Sequence, residues 1–311
     1  MTSIITNSSA MNALQALREV NNSMATTQDR ISSGLKVGSA KDNAAYFQIS
    51  ETMKGDSSAY ASINEGLTLT KNSVATARLG SETIQDLAQQ FLDKVAFAQG
   101  ATGGQGEIEN DLLELVKQME TTLSQSTFNG DDMLGAGSYP ASITAGTVAG
   151  ATGVLTSATN AGATVGDDRN VVTGISRAGG TYATTDIVVG TYDMASLVAN
   201  FSALATNFET NAIAATGEAF LAGALASTEG VVTNVNDIAT KLGQSEKSVE
   251  NQQSFLNKLT DNIDSGVGSM IDADMEEEAA RLKALQTQQQ LATQSLSIAN
   301  QAPSNVLSLF Q

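Results

Sequence analysis

Val235-Asn-Asp-Ile-Ala-Thr-Lys-Leu242-Gly-Gln-Ser-Glu-Lys-Ser-Val249-Glu-Asn-Gln-Gln-Ser-Phe-Leu256-Asn-Lys-Leu-Thr-Asp-Asn-Ile263 decides the fold. Val235, Leu242, Val249, Leu256, Ile263 and Met270 stand seven residues apart, and Ile238 and Leu259 fill the intervening turns. Apolar residues at that interval share one face of a helix and form a coiled-coil seam. The N-terminal half supplies a partner. Ile63, Thr70, Ala77, Ile84, Phe91 and Ala98 repeat the spacing, flanked by Leu67, Val74, Ala88 and Val95. The expected fold is mainly α: a long antiparallel coiled-coil-like helical rod formed by the N- and C-terminal segments, with a small β-rich outer insert between them.

Further stripes lie towards the ends. Ala10, Leu17, Met24 and Ile31 carry the interval upstream. Downstream, Leu282, Leu285, Ala292, Leu296 and Ala299 make one stripe, and Ala284, Leu291 and Ile298 make a second beside it. A helix with two adjacent stripes needs partners on more than one side. A rod of this kind is built to pack sideways against copies of itself.

The composition narrows the function classes. Apolar residues make up 41% of the 311, enough for a packed fold, but aromatics are only 5% and Trp is absent, so the cores are thin and aliphatic. Lys and Arg number 16 against 33 Asp and Glu, a net charge of −17 with no basic cluster. Nucleic-acid binding requires Lys and Arg to neutralise phosphates, and none is expected. Adhesion to an anionic membrane is disfavoured likewise. Cysteine is absent, which removes disulfides and thiol chemistry and suits a chain exported unfolded through a narrow channel. Histidine is absent too, removing the commonest general base and metal ligand. No run approaches the roughly 18 apolar residues of a membrane span, so no membrane insertion is expected. Met-Thr-Ser-Ile-Ile-Thr-Asn-Ser-Ser has neither a basic start nor an apolar core, and export without a cleaved signal peptide is the expectation.

Along the chain, Asn7 or Ser8 caps a first helix that runs to about residue 33 and is interrupted by Gly34 and Gly38. A second starts near Asp42 or Asn43 and continues to about residue 99, a rod of roughly 85 Å. Gly100-Ala-Thr-Gly-Gly-Gln-Gly106 breaks it. No Lys-Ser/Thr follows that run and no strand precedes it, so it reads as a hairpin and not as a phosphate loop. A third helix spans about 107–124, with Ile108, Leu112, Leu115 and Met119 on one face, and Phe128-Asn-Gly130 signals a turn. Over 135–216 short β-prone runs appear (Ser142-Ile-Thr144, Asn170-Val-Val-Thr173, Thr185-Asp-Ile-Val-Val189), with one helix expected near 194–208 in otherwise surface-exposed material. Helix resumes near Gly217 and runs to about Ile263. Gly266 and Gly268 mark a joint, and a last helix from about Asp274 to Asn300 is ended by Pro303.

Chemistry is sparse. Ile271-Asp-Ala-Asp-Met-Glu-Glu-Glu278 is acidic, but it lacks the glycine and final glutamate of a calcium loop. Asp272 or Asp274 is read as capping the last helix, with the glutamates favoured by its N-terminal dipole. Without histidine there is no HExxH and no Ser-His pairing, and no G-x-S-x-G occurs. No enzyme activity, catalytic residue, cofactor or metal is expected.

Three stretches carry a family likeness: Ile5-Thr-Asn-Ser-Ser9 at the start, Gln28-Asp-Arg-Ile-Ser-Ser-Gly-Leu-Lys-Val-Gly-Ser-Ala-Lys-Asp-Asn-Ala-Ala-Tyr46, and Ser297-Ile-Ala-Asn-Gln-Ala-Pro-Ser-Asn-Val-Leu-Ser-Leu-Phe310 at the end. They resemble the bacterial flagellins, in particular the short ones of alphaproteobacteria, over about 1–134 and 217–311. The resemblance implies a subunit that self-assembles into the extracellular flagellar filament for swimming. It implies that 1–41 and 271–311 pair as an innermost, channel-lining domain, that 42–134 and 217–270 form a core rod, and that 135–216 is a variable outer insert. Packing between subunits or within the inner domain is expected of Leu14, Leu17, Met24, Ile31, Leu282, Leu285, Leu291, Leu296, Ile298, Val306, Leu307 and Leu309. Rod packing is expected of Ile63, Leu67, Val74, Ile84, Phe91, Val95, Val235, Leu242, Val249, Leu256 and Ile263. The implied partners are a homo-polymer, a flagellar export chaperone, the filament cap and hook-associated proteins, with type III export of the unfolded chain. Flagellins detected by the vertebrate Toll-like flagellin receptor carry a motif like LQRVRELA. Here the stretch reads Ala88-Gln-Gln-Phe-Leu-Asp-Lys-Val95, with Gln90 and Leu92 where that motif has arginines. A hook–filament junction protein of the same architecture and a secreted adhesin are the alternatives.

Overall fold

The computed structural model describes residues 7–135, 146–156, 168–176 and 183–307. In chain order the elements are α1 (Ser8–Ser33), α2 (Ala44–Gly100), α3 (Gln105–Gln125), β1 (Thr147–Val148), β2 (Leu155–Thr156), β3 (Arg169–Ser176), β4 (Ala183–Val189), α4 (Met194–Ala205), α5 (Phe208–Ala212), α6 (Gly217–Ile271) and α7 (Met275–Leu307). Among the described residues the fold is mainly α with two small antiparallel sheets, β1–β2 and β3–β4. The β-prone run Ser142-Ile-Thr144 lies outside the described residues, as do Ile5 and Leu309 and the side chains of Val306 and Leu307.

The chain forms two compact units, a terminal one of 1–58 and 259–311 and a central one of 59–258; α2 and α6 contribute to both. In the terminal unit α1 and α7 run antiparallel. The Asn7 amide donates to the Ala299 carbonyl (2.8 Å), Gln289 to Asn21 (2.7 Å), and Arg30 to Glu278 (3.1 Å). Asn7 also caps α1, its side-chain oxygen accepting from the Ala10 N–H. Gly34 ends α1 with φ +73°, the left-handed conformation that glycine adopts without a Cβ penalty. Its carbonyl accepts from Ala273 N–H, while Lys36 and Val37 donate to the Ile271 carbonyl, so the two inter-helix links are stitched together. Val37, Val267 and Ile271 are buried there, with Leu35, Phe47, Met53, Ile263 and Met270 packed around them. Asp42 closes the first link by accepting from Gly38 N–H, Ser39 N–H and the Ser39 hydroxyl, and the hydroxyl bond leads in holding its carboxyl below the usual range.

Two expected helix ends are corrected. Gly266 and Gly268 form no joint, because α6 continues to Ile271. Glycine costs a helix about 1 kcal/mol relative to alanine, and here burial of Val267 and Ile271 offsets that. A Cβ on Gly266 would stand 3.4 Å from the Met53 methyl, so the missing side chain also leaves room for Met53. The break comes instead at 272–274, where the Asp274 side chain accepts from the N–H groups of Glu276 and Glu277 and caps α7. Pro303 does not end α7, which runs to Leu307. Proline removes one backbone donor and crowds the preceding turn at about 3 kcal/mol, which kinks a helix without having to stop it.

The central unit is thicker. α2 and α6 pair antiparallel through Asn64–Asn257, Thr68–Gln253, Lys71–Glu250 and Arg78–Glu246. Between these rungs the two seven-residue seams close. Leu67, Val74, Ala77, Ile84, Ala88, Phe91, Val95, Ala98, Val235, Ile238, Leu242, Val249 and Leu256 are all buried. α3 folds back along α2. Gln105 closes the turn from a buried position, its amide donating to the carbonyls of Ala98 and Ala101. The buried face of α3 is Ile108, Leu112, Val116, Met119 and Leu123. Leu115, expected on that face, is half-buried.

The segment 194–208 departs most from expectation. It forms a helix as anticipated, but α4 is buried along almost its whole length and is not surface material. Its sequence, Met194-Ala-Ser-Leu-Val-Ala-Asn-Phe201, is apolar nearly all round, which is the pattern of an enclosed helix. Phe201 meets Phe91 edge-on (centroids 5.1 Å apart), and Phe208 meets Phe220 likewise (5.6 Å). Such pairs contribute about 0.5–1.5 kcal/mol beyond the area they bury.

The β3–β4 hairpin lies on the central unit by named bonds. The Tyr60 hydroxyl donates to the Ile175 carbonyl, and Gln252 donates to that of Thr173. At its start Arg169 pairs with Asp131, which also accepts from the Ser73 hydroxyl of α2. Asp131 follows the Phe128-Asn-Gly130 turn, whose Asn129 and Gly130 both have positive φ. Burial pushes the Asp131 carboxyl up, but the hydrogen bonds from Arg169 and Ser73 outweigh it and hold the group below the usual carboxylate range.

Candidate functional site

On α7 the two apolar stripes meet different fates. Leu282, Leu285, Ala292, Leu296 and Ala299 are half-buried, facing α1. Ala284, Leu291 and Ile298 are exposed, the last two at 57% and 63%. On α1, Ala10, Leu17, Met24 and Ile31 are half-buried, while Met11 (60%) and Leu14 (39%) stand out in solvent. Scattered exposed apolar residues are ordinary. A row of them seven residues apart on one helix, beside a second row that is half-buried, makes an uncovered apolar face among the described residues.

The expected packing residues therefore separate into four groups. Leu67, Val74, Ile84, Phe91, Val95, Val235, Leu242, Val249 and Leu256 come together in the central core. Ile63 and Ile263 are half-buried, Ile63 in the central unit and Ile263 in the terminal one. Leu17, Met24, Ile31, Leu282, Leu285 and Leu296 line the α1–α7 seam, and Leu14, Leu291 and Ile298 face away from it. Gln90 is exposed and Leu92 half-buried; Gln90 lies on an open groove between α2 and α3 with Asp93, Lys94, Phe97, Asp111 and Glu114.

Charge organises the rods more than it makes a site. Hydrogen bonds from Arg78 to Glu246 first, and to Glu82 second, raise the Arg78 pKa. Lys71 and then Lys247 hold Glu250 below the carboxylate range. Among the described residues no cluster of His, Cys, Asp or Glu has the geometry to hold a metal ion, and no helix is long and apolar enough to cross a membrane.

Two polar features of the seams escaped the sequence reading. Thr27 and Glu278 are buried, at 3% and 5%. Both fall on the three-and-four spacing of their helices, Thr27 between Met24 and Ile31 and Glu278 before Leu282. Tracking every seam position, polar ones included, would have found them.

The family model described as the bacterial flagellin N-terminal helical region matches residues 4–138, and that described as the bacterial flagellin C-terminal helical region matches 225–310. The chain belongs to the bacterial flagellin family. Relatives agree over full length. Among them are a flagellin of Brucella melitensis, 35% identical over 312 residues, and flagellin C of Rhizobium meliloti, 37% over 320, with all of each chain covered. Flagellin A of Rhizobium meliloti is 33% identical over an alignment of 394 positions, again covering both chains completely. Since this flagellin has 311 residues, the longer relative carries additional sequence. Like its family, this flagellin is a structural subunit of the extracellular flagellar filament, and it polymerises with copies of itself.

Proposed function

We propose that the α1–α7 pair is the polymerising element and that its uncovered stripe, Met11 and Leu14 on α1 with Leu291 and Ile298 on α7, is filled by neighbouring subunits. The exposed row beside a covered one carries this reading. Each such side chain contributes about 1.5–3 kcal/mol when buried, against an association cost of at least about 4 kcal/mol. Several together are therefore needed, and the stripe supplies several. Contacts between unlike patches that do not close into a ring produce an open helix. In the filament, 1–41 and 271–311 form the innermost, channel-lining layer and 42–134 with 217–270 the rod. Of 135–216, the β-hairpins face outward while α4 belongs to the rod core. Deleting about 30 residues from either end is expected to leave a soluble, folded central unit that forms no filaments. Normal filaments from either truncation, seen by electron microscopy, would remove the basis of this assignment.

The subunit's further partners are an export chaperone, the filament cap and hook-associated proteins. It carries no enzymatic activity. Gln90 and Leu92, in place of two arginines, leave it silent towards the Toll-like flagellin receptor. A receptor-reporter assay on purified subunit should show no response, and potent activation would overturn that reading.

A further inference from the structure

The α1–α7 seam carries a problem of register. Its apolar members repeat every seven residues on both helices, so sliding one helix by a heptad again places apolar against apolar. Polar seam residues discriminate between registers where apolar ones do not. Among the described residues, side-chain ties along this pair include Asn7–Ala299, Asn21–Gln289 and Arg30–Glu278, and the backbone bonds of Ala273 to Gly34 and of Lys36 and Val37 to Ile271 hold the end where the two links meet. Of these, only Arg30–Glu278 places a charge inside the seam. The Glu278 side chain is 7% exposed and that of Arg30 27%. One Glu278 oxygen receives Arg30, and the other is buried without a hydrogen-bond partner among the described residues. A half-satisfied buried carboxylate is a poor source of stability, and an apolar residue of similar volume there is neutral or stabilising.

We propose that Glu278 and Arg30 set the register of the terminal helix pair, and thereby fix which residues each subunit offers its neighbours. A slip of one heptad in one direction brings Glu278 level with Met24, away from Arg30, and leaves a buried carboxylate unpaired. A slip in the other carries it past the end of α1 at Ser33. Loss of the partner disfavours such a register by roughly a hundredfold or more. Stability is exchanged for a single alignment, and the exposed stripe of α7 then stands at one fixed height against α1.

This rests on α1–α7 as the polymerising element. The absence of native cysteine gives a clean background for cross-linking in filaments of the full chain. Leu17→Cys with Ala292→Cys reports the native register. Leu17→Cys with Leu285→Cys, or with Ala299→Cys, reports a heptad slip, because about 10 Å of helix rise exceeds the reach of a disulfide. In otherwise unsubstituted chains only the native pair should form, and its failure to form would undo the polymerising reading itself. Adding Glu278→Leu should make a slipped pair appear at a yield comparable to the native one, while Glu278→Gln, which still accepts from Arg30, should keep the native pair alone. Two results overturn the proposal: a Leu variant that forms the native pair alone, or a Gln variant that slips as much as the Leu variant; a Leu variant that slips and assembles poorly supports it.

Discussion

The α1–α7 pair and the central bundle use the same seven-residue spacing to different ends. In the central unit, Val74, Ile84, Phe91, Val235 and Leu242 are wholly buried, because α3 and α4 close over the pair that α2 and α6 make. On α1 and α7, Leu17, Met24, Leu285 and Leu296 sit at equivalent intervals and are only half-covered, because among the described residues these two helices pack chiefly on each other. Spacing determines which face is apolar, and the number of neighbours determines how much of it is buried. The central unit is finished within one chain; on the proposed function the terminal pair is finished by other chains.

That contrast predicts unequal effects on the soluble subunit. Phe91→Ala, which empties the place where α2 meets α4, should cost about 3–5 kcal/mol, read as a lowered urea midpoint. A loss under about 1 kcal/mol would mean that α4 is not a true part of the core. The Asp131–Arg169–Ser73 cluster should contribute less, and in a pH-dependent way. Its carboxyl is held below the ordinary range, so its stabilisation is fully present above the unfolded value of about 3.9 and is lost as pH falls through the folded value. Wild type should exceed Asp131→Asn near neutral pH and converge with it in acid. A gap that widens in acid would show the pair to be ornamental. The smallest effect on folding belongs to Leu291→Ser, within about 0.5 kcal/mol since the side chain is already in water. Filament yield by sedimentation should nevertheless fall sharply. Unimpaired assembly would separate the exposed stripe from polymerisation.

Much of this was legible in the residues. The two long seams, the caps Asn7 and Asp274, the Phe128-Asn-Gly130 turn and the β3–β4 strands follow from local spacing and turn chemistry. What was not legible depended on neighbours. Gly266 and Gly268 read as a joint until Val267 and Ile271 are seen packed with Val37. Met194-Ala-Ser-Leu-Val-Ala-Asn-Phe201 sits among Gly- and Thr-rich sequence, and only the contact of Phe201 with Phe91 places it in the core. Glu278 looked like one more acid favoured by a helix N-terminus, because its burial is made by α1, far away in sequence.

The enclosure of α4 also bears on when this chain can fold. The central core joins residues near 91, 201 and 235, so its contacts close long loops, and such topologies fold late and slowly. A chain that emerges N-terminus first, from a ribosome or from a channel, holds no complete core until α6 has followed. Until then Phe91 and Val95 wait without their lid. A core closed by α4 and α6 together thus postpones the native state until most of the molecule has arrived.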